Sequence, residues 1–193
     1  MDNAPTRREI THHRIVASAA RAIRRAGYAG VGVADIMKYA GLTHGGFYAH
    51  FASRDALLVE AIERAGRDSA TVVAANMTAR RAKGASALRA LVESYLADSQ
   101  LARAEEGCPV AALCGEMPRQ APEVREASAE RVRGLLGLVQ QTLPSSADAG
   151  SHLAVTSTLV GALQLARALG DNAQGKSLLA ASRKALLAQY DHA

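Results

Sequence analysis

The stretch 40-AGLTHGGFYAHF-51 sets Gly45 and Gly46 side by side among Phe47, Tyr48 and Phe51, with His44 and His50 at either end. Everything around it reads as helix, where each glycine costs roughly 1 kcal/mol relative to alanine. The punctuation on either side sets the local reading. Val33, Ile36, Met37 and Ala40 share one face of a short helix predicted over 33–40, and Gly41 ends it. Thr43 is placed to cap a third helix from about His44 to His50. Two short helices joined by a glycine-containing turn of three or four residues make a helix-turn-helix.

Upstream, Pro5 and Thr6 open a helix that runs to about Ala26, with Ile15, Ala19, Ile23 and Ala26 along one face and Gly27 at its end. The glycines from Gly27 to Gly32 follow a G-x-x-G-x-G order. That is not the dinucleotide fingerprint, and no strand precedes it, so a nucleotide site is rejected there. Downstream, Ser53 begins a fourth helix with Asp55 in its first turn. A stripe of Leu58, Ile62, Ala65, Ser69, Val72 and Asn76 carries this helix to around Met77 or Ala79.

The polar break 79-ARRAKGAS-86 marks a seam that the long helix itself largely spans. Beyond it, Leu88, Leu91, Val92, Tyr95, Leu96 and Ser99 keep helical spacing. Pro109 and Pro118 bracket the apolar run VAALCGEM, read as one short helix between turns. Pro122 restarts a helix whose inner face is Val124, Ser128, Val132, Leu135, Val139 and Leu143, and Pro144 stops it. Residues 146–169 carry two apolar stripes, Leu153/Thr156/Val160/Leu163 and Val155/Leu159/Ala162/Leu169. A helix apolar on two sides must be covered on two sides, one of them a candidate for a partner subunit. A last helix is predicted over about Lys176 to Tyr190.

Composition agrees with an all-α chain: alanine, leucine, arginine and glutamate dominate, and only 4% of residues are aromatic. No alternating run of β-branched and aromatic residues is long enough for a strand. The net charge of +5 is unevenly placed. Residues 1–54 hold eight Lys or Arg against three acids, whereas residues 55–193 hold fifteen of each sign. Four of the six histidines also lie in that first quarter. A basic end on a neutral body points to a polyanion partner, a solvated helix surface being the plainer reading.

Other classes find little support. Cys108 and Cys114 make no disulfide framework, and their spacing fits no common zinc site. No pair of histidines stands at i, i+4, and no phosphate loop or paired-carboxylate motif is present, so no metal or cofactor is expected. A thiol-dependent enzyme built on Cys108 is the alternative from another class, but no His or Asp accompanies that cysteine in sequence. The N-terminus lacks the apolar core of a signal peptide, and Ala149 to Ala166 carries too many polar groups for a membrane span. A membrane-surface role for the basic end lacks the bulky apolar face that insertion needs. The expected location is cytoplasmic.

Residues 8–64, beginning REITHHRIV and containing DI…AGLTHGGFYAHFASRDALL, closely resemble the DNA-binding domain of the TetR/AcrR family of bacterial repressors. The resemblance covers just under a third of the chain, and the rest fits the family in length and helix content. It implies a helix-turn-helix domain over 8–68, with the motif at about 31–50, joined by the long helix to a helical effector-binding and dimerisation domain over 84–193. It further implies a regulator that binds a palindromic double-stranded DNA operator as a homodimer, paired through its last two helices, and is released by a small-molecule effector. The positions matching the family's DNA contacts are Thr43, His44, Gly45, Gly46, Tyr48, His50 and Arg54, with Phe47 and Phe51 as core. Gly32 stands where a Ser/Thr cap is usual, and Ala34 where arginine is frequent, so the second helix is expected to contribute less. The two glycines then make sense as a bare first turn that lets the backbone approach a groove about 12 Å wide.

For the effector, Leu91, Tyr95, Leu113, Met117, Leu159 and Leu163 are apolar positions able to line a cavity or simply to fill the core. The segment 107-GCPVAALCGE-116 resembles a Gly-Cys segment found in members that sense electrophiles, which makes Cys108 a candidate sensor thiol. A reactive thiolate needs a neighbouring positive charge or helix N-terminus, and Glu105 and Glu106 would oppose it.

Overall fold

Thr6 starts the first helix through a reciprocal cap: its Oγ1 accepts from the Glu9 backbone N–H, and the Glu9 carboxylate accepts from the Thr6 N–H at 2.7 Å. The helix, α1 (Arg7–Ala26), ends at Gly27, whose φ of 78° lies in the region that side chains disfavour. In the computed structural model, which describes residues 4–191, every regular element is helical and no strand is present among the described residues. After α1 come α2 (Val33–Tyr39), a 3-10 helix (His44–Ala49), and the long α3 (Arg54–Arg81), capped by Ser53. The body follows with α4 (Ala87–Tyr95), the five-residue α5 (Pro109–Leu113), α6 (Pro122–Thr142), α7 (Ser151–Leu169) and α8 (Ala173–Tyr190).

Most predicted elements fall within a few residues of the observed ones. The third helix differs in kind: it is a 3-10 turn of six residues ending at Ala49, not an α-helix reaching His50. Two glycines and a β-region entry at Thr43 leave too few residues to establish the longer hydrogen-bond ladder. The Thr43 hydroxyl makes no capping hydrogen bond, although its backbone occupies the capping position. At α2 the missing side chain of Gly32 is answered from the other direction, the Asp35 carboxylate accepting from the Gly32 N–H at 3.3 Å. Helix α7 begins at Ser151, later than the predicted 146, and α8 begins at Ala173 because Asn172 caps Gln174 and Gly175.

Two hydrophobic cores divide the molecule. The first gathers Ile15, Ile23, Ile36, Met37, Phe47, Phe51, Leu58 and Ile62 with Leu113, Met117 and Val124 from the body. The second gathers Leu88, Leu91, Tyr95, Leu135, Val139, Leu159, Leu163 and Leu179. Helix α3 serves both, and its stripe drifts on the way. Leu58, Ile62, Ala65 and Ser69 are buried as predicted, but Val72 and Asn76 are exposed, and Val73 and Met77 face the second core instead.

The head is fastened to the body by buried polar contacts as well. Tyr28 is fully buried, with its hydroxyl 2.8 Å from Ser128 Oγ, and its backbone N–H donates to Glu116 at 3.0 Å. Arg24 is buried too: its guanidinium donates to the carbonyls of Ala20 and Gly107 and stands 3.9 Å from Asp68. Burial lowers the Arg24 pKa, and the Asp68 carboxylate works against that shift.

Candidate nucleic-acid interface

The His44–Ala49 turn is anchored from beneath and bare above. Phe47 is buried and lies 5.6 Å, ring to ring, from the likewise buried Phe51. Phe51 in turn stacks at 4.5 Å on His12 of α1, and His12 Nε2 is 2.7 Å from a Glu60 carboxylate oxygen on α3. The Arg8 guanidinium donates to the Ala49 carbonyl at 2.9 Å, fixing the end of the turn to α1. Two rings and two polar ties thus hold six residues in place of a longer helix's own hydrogen bonds.

Above that anchor, Thr43, His44, Gly45, Tyr48 and Ala49 are exposed, with Gly46 and His50 half-buried. A β-carbon at Gly45 would meet nothing within 4 Å, and one at Gly46 only the Met37 Cε at 3.7 Å. Neither glycine has a positive φ. Nothing among the described residues therefore requires either residue to be glycine, and no close helix crossing accounts for them. Tyr48 projects its ring with 75% of its surface exposed, set edge-on at 5.2 Å to Phe47. Lys38 and Tyr39 at the end of α2 are also exposed, and the Arg25 guanidinium lies 4.9 Å above the Tyr39 ring.

His50 and Arg54 are differently placed. His50 Nδ1 is buried without a hydrogen-bond partner among the described residues. Burial first, then the neighbouring His12 and Arg8, hold the His50 pKa below the ordinary value. One guanidinium nitrogen of Arg54 donates to the Tyr28 carbonyl, so this half-buried side chain pins the α1–α2 connection. The exposed turn carries His44 and Tyr48 and is short of side chains at Gly45 and Gly46, with Arg25 and Lys38 nearby on α1 and α2.

The effector candidates separate into two groups. Tyr95 and Cys108 line a cavity of about 270 Å³ walled by α3, α5 and α6. Leu113 and Met117 do not line it; they pack into the first core, because the short α5 and the turn after it lean toward the head. Leu159 is fully buried in the second core, as is Leu91. Cys108 caps the start of α5, as Pro109 suggested, and Glu105 and Glu106 are drawn off by Arg25 at 3.8 Å and by Arg103. Sequence reasoning missed Arg131, which lines the cavity, and Arg167, which lies behind Tyr95 and Cys108. For Arg167 the available signal was a lone arginine within an apolar helical run; for Arg131, amid other charges, there was none.

Comparison with known proteins agrees with this geometry. Residues 15–61 match the family model described as bacterial regulatory proteins, tetR family, and residues 84–181 match the Tetracyclin repressor-like C-terminal domain. An uncharacterized HTH-type transcriptional regulator of Mycobacterium tuberculosis is 32% identical over 172 residues, covering 82% of this chain and 84% of its own. Among solved structures, a TetR transcriptional regulator from Chloroflexus aurantiacus superimposes with a TM-score of 0.74 at 22% identity, over 94% of each chain. The reduced form of NemR from Escherichia coli does so with a TM-score of 0.72 at 18% identity, over 92% of this chain and 95% of that one. No helix among the described residues is long and apolar enough to cross a membrane. With head, body and relatives in agreement, the chain belongs to the TetR family and is a DNA-binding transcriptional regulator.

Proposed function

We propose that this regulator is a cytoplasmic repressor that binds a palindromic operator as a homodimer and leaves it when a small effector enters the body. Residues 8–68 hold the DNA and residues 84–193 the effector and the partner subunit, His192 and Ala193 lying outside the described residues. In the bound state the His44–Ala49 turn enters the major groove. Gly45 and Gly46 bring backbone amides close to the base edges, and Thr43, Tyr48 and His50 reach phosphates, with His44 at a phosphate or a base. Arg54 adds a phosphate contact with the nitrogens that Tyr28 does not use. The observation that carries this reading is the glycine pair, since an exposed turn with no internal need for glycine is explained by a surface that must come closer than side chains allow.

Helix α7 supports the dimer. Thr156, Leu159 and Leu163 turn inward, while Leu153, Leu165 and Leu169 stay 44–60% exposed. The α8 surface beside it is small, with Ala180, Ala181, Ala185 and Ala188 exposed, so two α7–α8 pairs can pack closely. Cys108 supports a second effector route: because it lines the cavity, an electrophile small enough to enter would meet its thiol there. Alkylation that leaves operator affinity intact removes that route.

The test is selection. Sheared genomic DNA passed over the immobilised chain is expected to leave a retained, palindromic fragment that shifts in a gel with dimer stoichiometry. Retention without any shared sequence would overturn the reading.

A further inference from the structure

We propose that the body's cavity is a site for a small organic carboxylate with an apolar tail, its head group held by Arg167 and Tyr95. This rests on the reading of the chain as an effector-controlled regulator and names the effector's chemistry.

The argument begins with donors that meet no acceptor. Tyr95 is buried, with 3% of its surface exposed, and its hydroxyl has no hydrogen-bond partner among the described residues. Arg167 spends Nε on the Gln100 carbonyl at 3.1 Å, but both of its terminal nitrogens are buried without a partner. Arg131 lines the cavity and its Nε is buried and unpartnered as well. Unpaired buried donors each cost about 1–3 kcal/mol, and more where they are charged, so these four, on three side chains, call for acceptors.

The cavity's form narrows the chemistry. No acidic side chain lines it, and its walls are largely apolar, including Val73, Leu135 and Leu138. Beyond Tyr95 and Cys108 it continues into a recess of about 10 Å³ bounded by Gln100, Gly107, Leu163 and Glu106, the last of these paired with Arg103. Arg167 backs that recess: a β-carbon at Gly107 would fall 2.6 Å from its Nη2. Room of this size takes one water-sized group, such as a carboxylate oxygen. A water there would satisfy Tyr95 yet leave the guanidinium charge unmatched. Burial lowers the Arg167 pKa, and the groups resisting this are the Tyr95 hydroxyl and the Cys108 thiol rather than any carboxylate. An anion with an apolar tail answers all of these features together.

The same placement explains how such a ligand would be felt at the head. The Gly107 carbonyl, next to Cys108, accepts from Arg24 of α1 at 3.2 Å, and α3 forms one wall of the cavity through Gly66, Ser69, Ala70 and Val73. A head group seated at Arg167 presses on both connections.

The experiment titrates the full chain with matched acid and amide pairs: hexanoate with hexanamide, octanoate with octanamide, and benzoate with benzamide. Calorimetry and melting temperature are the readouts. At least one acid is expected to bind and raise the melting temperature, with its amide at least tenfold weaker, about 1.4 kcal/mol. Arg167→Gln and Tyr95→Phe should each weaken the acid tenfold while still melting cooperatively. Should Arg167→Gln fail to fold, Tyr95→Phe carries the test, because it removes only the hydroxyl. The proposal is overturned if no acid exceeds its amide, or if the folded variants bind the acid like the parent chain. A chain that shifts a palindromic duplex but binds no acid overturns this inference alone. One that binds the acid but shifts no duplex overturns the regulator reading and leaves the anion site standing.

Discussion

A valine at position 46 would place its first carbon in ordinary contact with the Met37 methyl, which sits at the flexible end of a side chain. Gly46→Val should therefore keep the fold, with a melting temperature within a few degrees of the parent. Its branched side chain would stand on the surface proposed to meet the bases, so operator affinity should fall at least tenfold. A mobility-shift titration that returns the parent's affinity would sink the glycine argument. His50 offers a second test at this scale. Its pKa is lowered in the free chain by burial and by His12 and Arg8, whereas a phosphate beside it would raise it. Binding would then take up a proton, so affinity should strengthen as pH falls from about 8 toward 6 and level off below the free chain's pKa. In His50→Gln that dependence should be shallower. Equal slopes in the two proteins would remove His50 from the DNA contact.

Between elements, a buried hydrogen bond ties the end of α1 to α6. Ser128 Oγ donates to the Val124 carbonyl at 2.7 Å, so its single proton is committed, and the Tyr28 hydroxyl must be the donor of the 2.8 Å contact between them. Tyr28→Phe removes that donor without leaving a buried proton unpaired, and should cost about 1 kcal/mol in urea unfolding. Ser128→Ala strands the Tyr28 hydroxyl and should cost more. If the order is reversed, the donor assignment is wrong. Contacts of this kind were not legible in the sequence. The stripes at Leu58, Ile62 and Ala65, and at Val124, Ser128 and Val139, gave the helices and their inner faces, because 3.6-residue periodicity records burial directly. What periodicity does not record is which buried face meets which. Leu113 and Met117, open to either cavity or core in the sequence, are head core; Arg167, which nothing in the sequence singled out, has two buried nitrogens without a partner among the described residues. The exposed turn was legible because glycine spacing is local. The cavity is lined by residues 95, 108 and 131, brought together only by the fold.

For the whole molecule, the distribution of charge and of exposed leucine makes one joint prediction. The cationic excess lies in the head, while the most exposed leucine of α7, Leu165 at 60%, lies on the body. In a lone chain Leu165→Glu should cost within about 0.5 kcal/mol, as for other exposed positions. In a dimer packed through α7 and α8 it would place a carboxylate in an apolar seam, opposite its own symmetry mate, which costs several kcal/mol. The variant should therefore melt cooperatively yet sediment as a monomer. Its DNA binding should reveal the arithmetic of two heads. If a dimer neutralises about eight phosphates, log affinity falls with log salt at a slope near −7, and the monomer should show about half that slope on a half-site. Dimeric sedimentation with an unchanged slope would place the subunit seam elsewhere. A monomer that keeps the full slope would mean that one head makes every phosphate contact, leaving the palindrome without a physical cause.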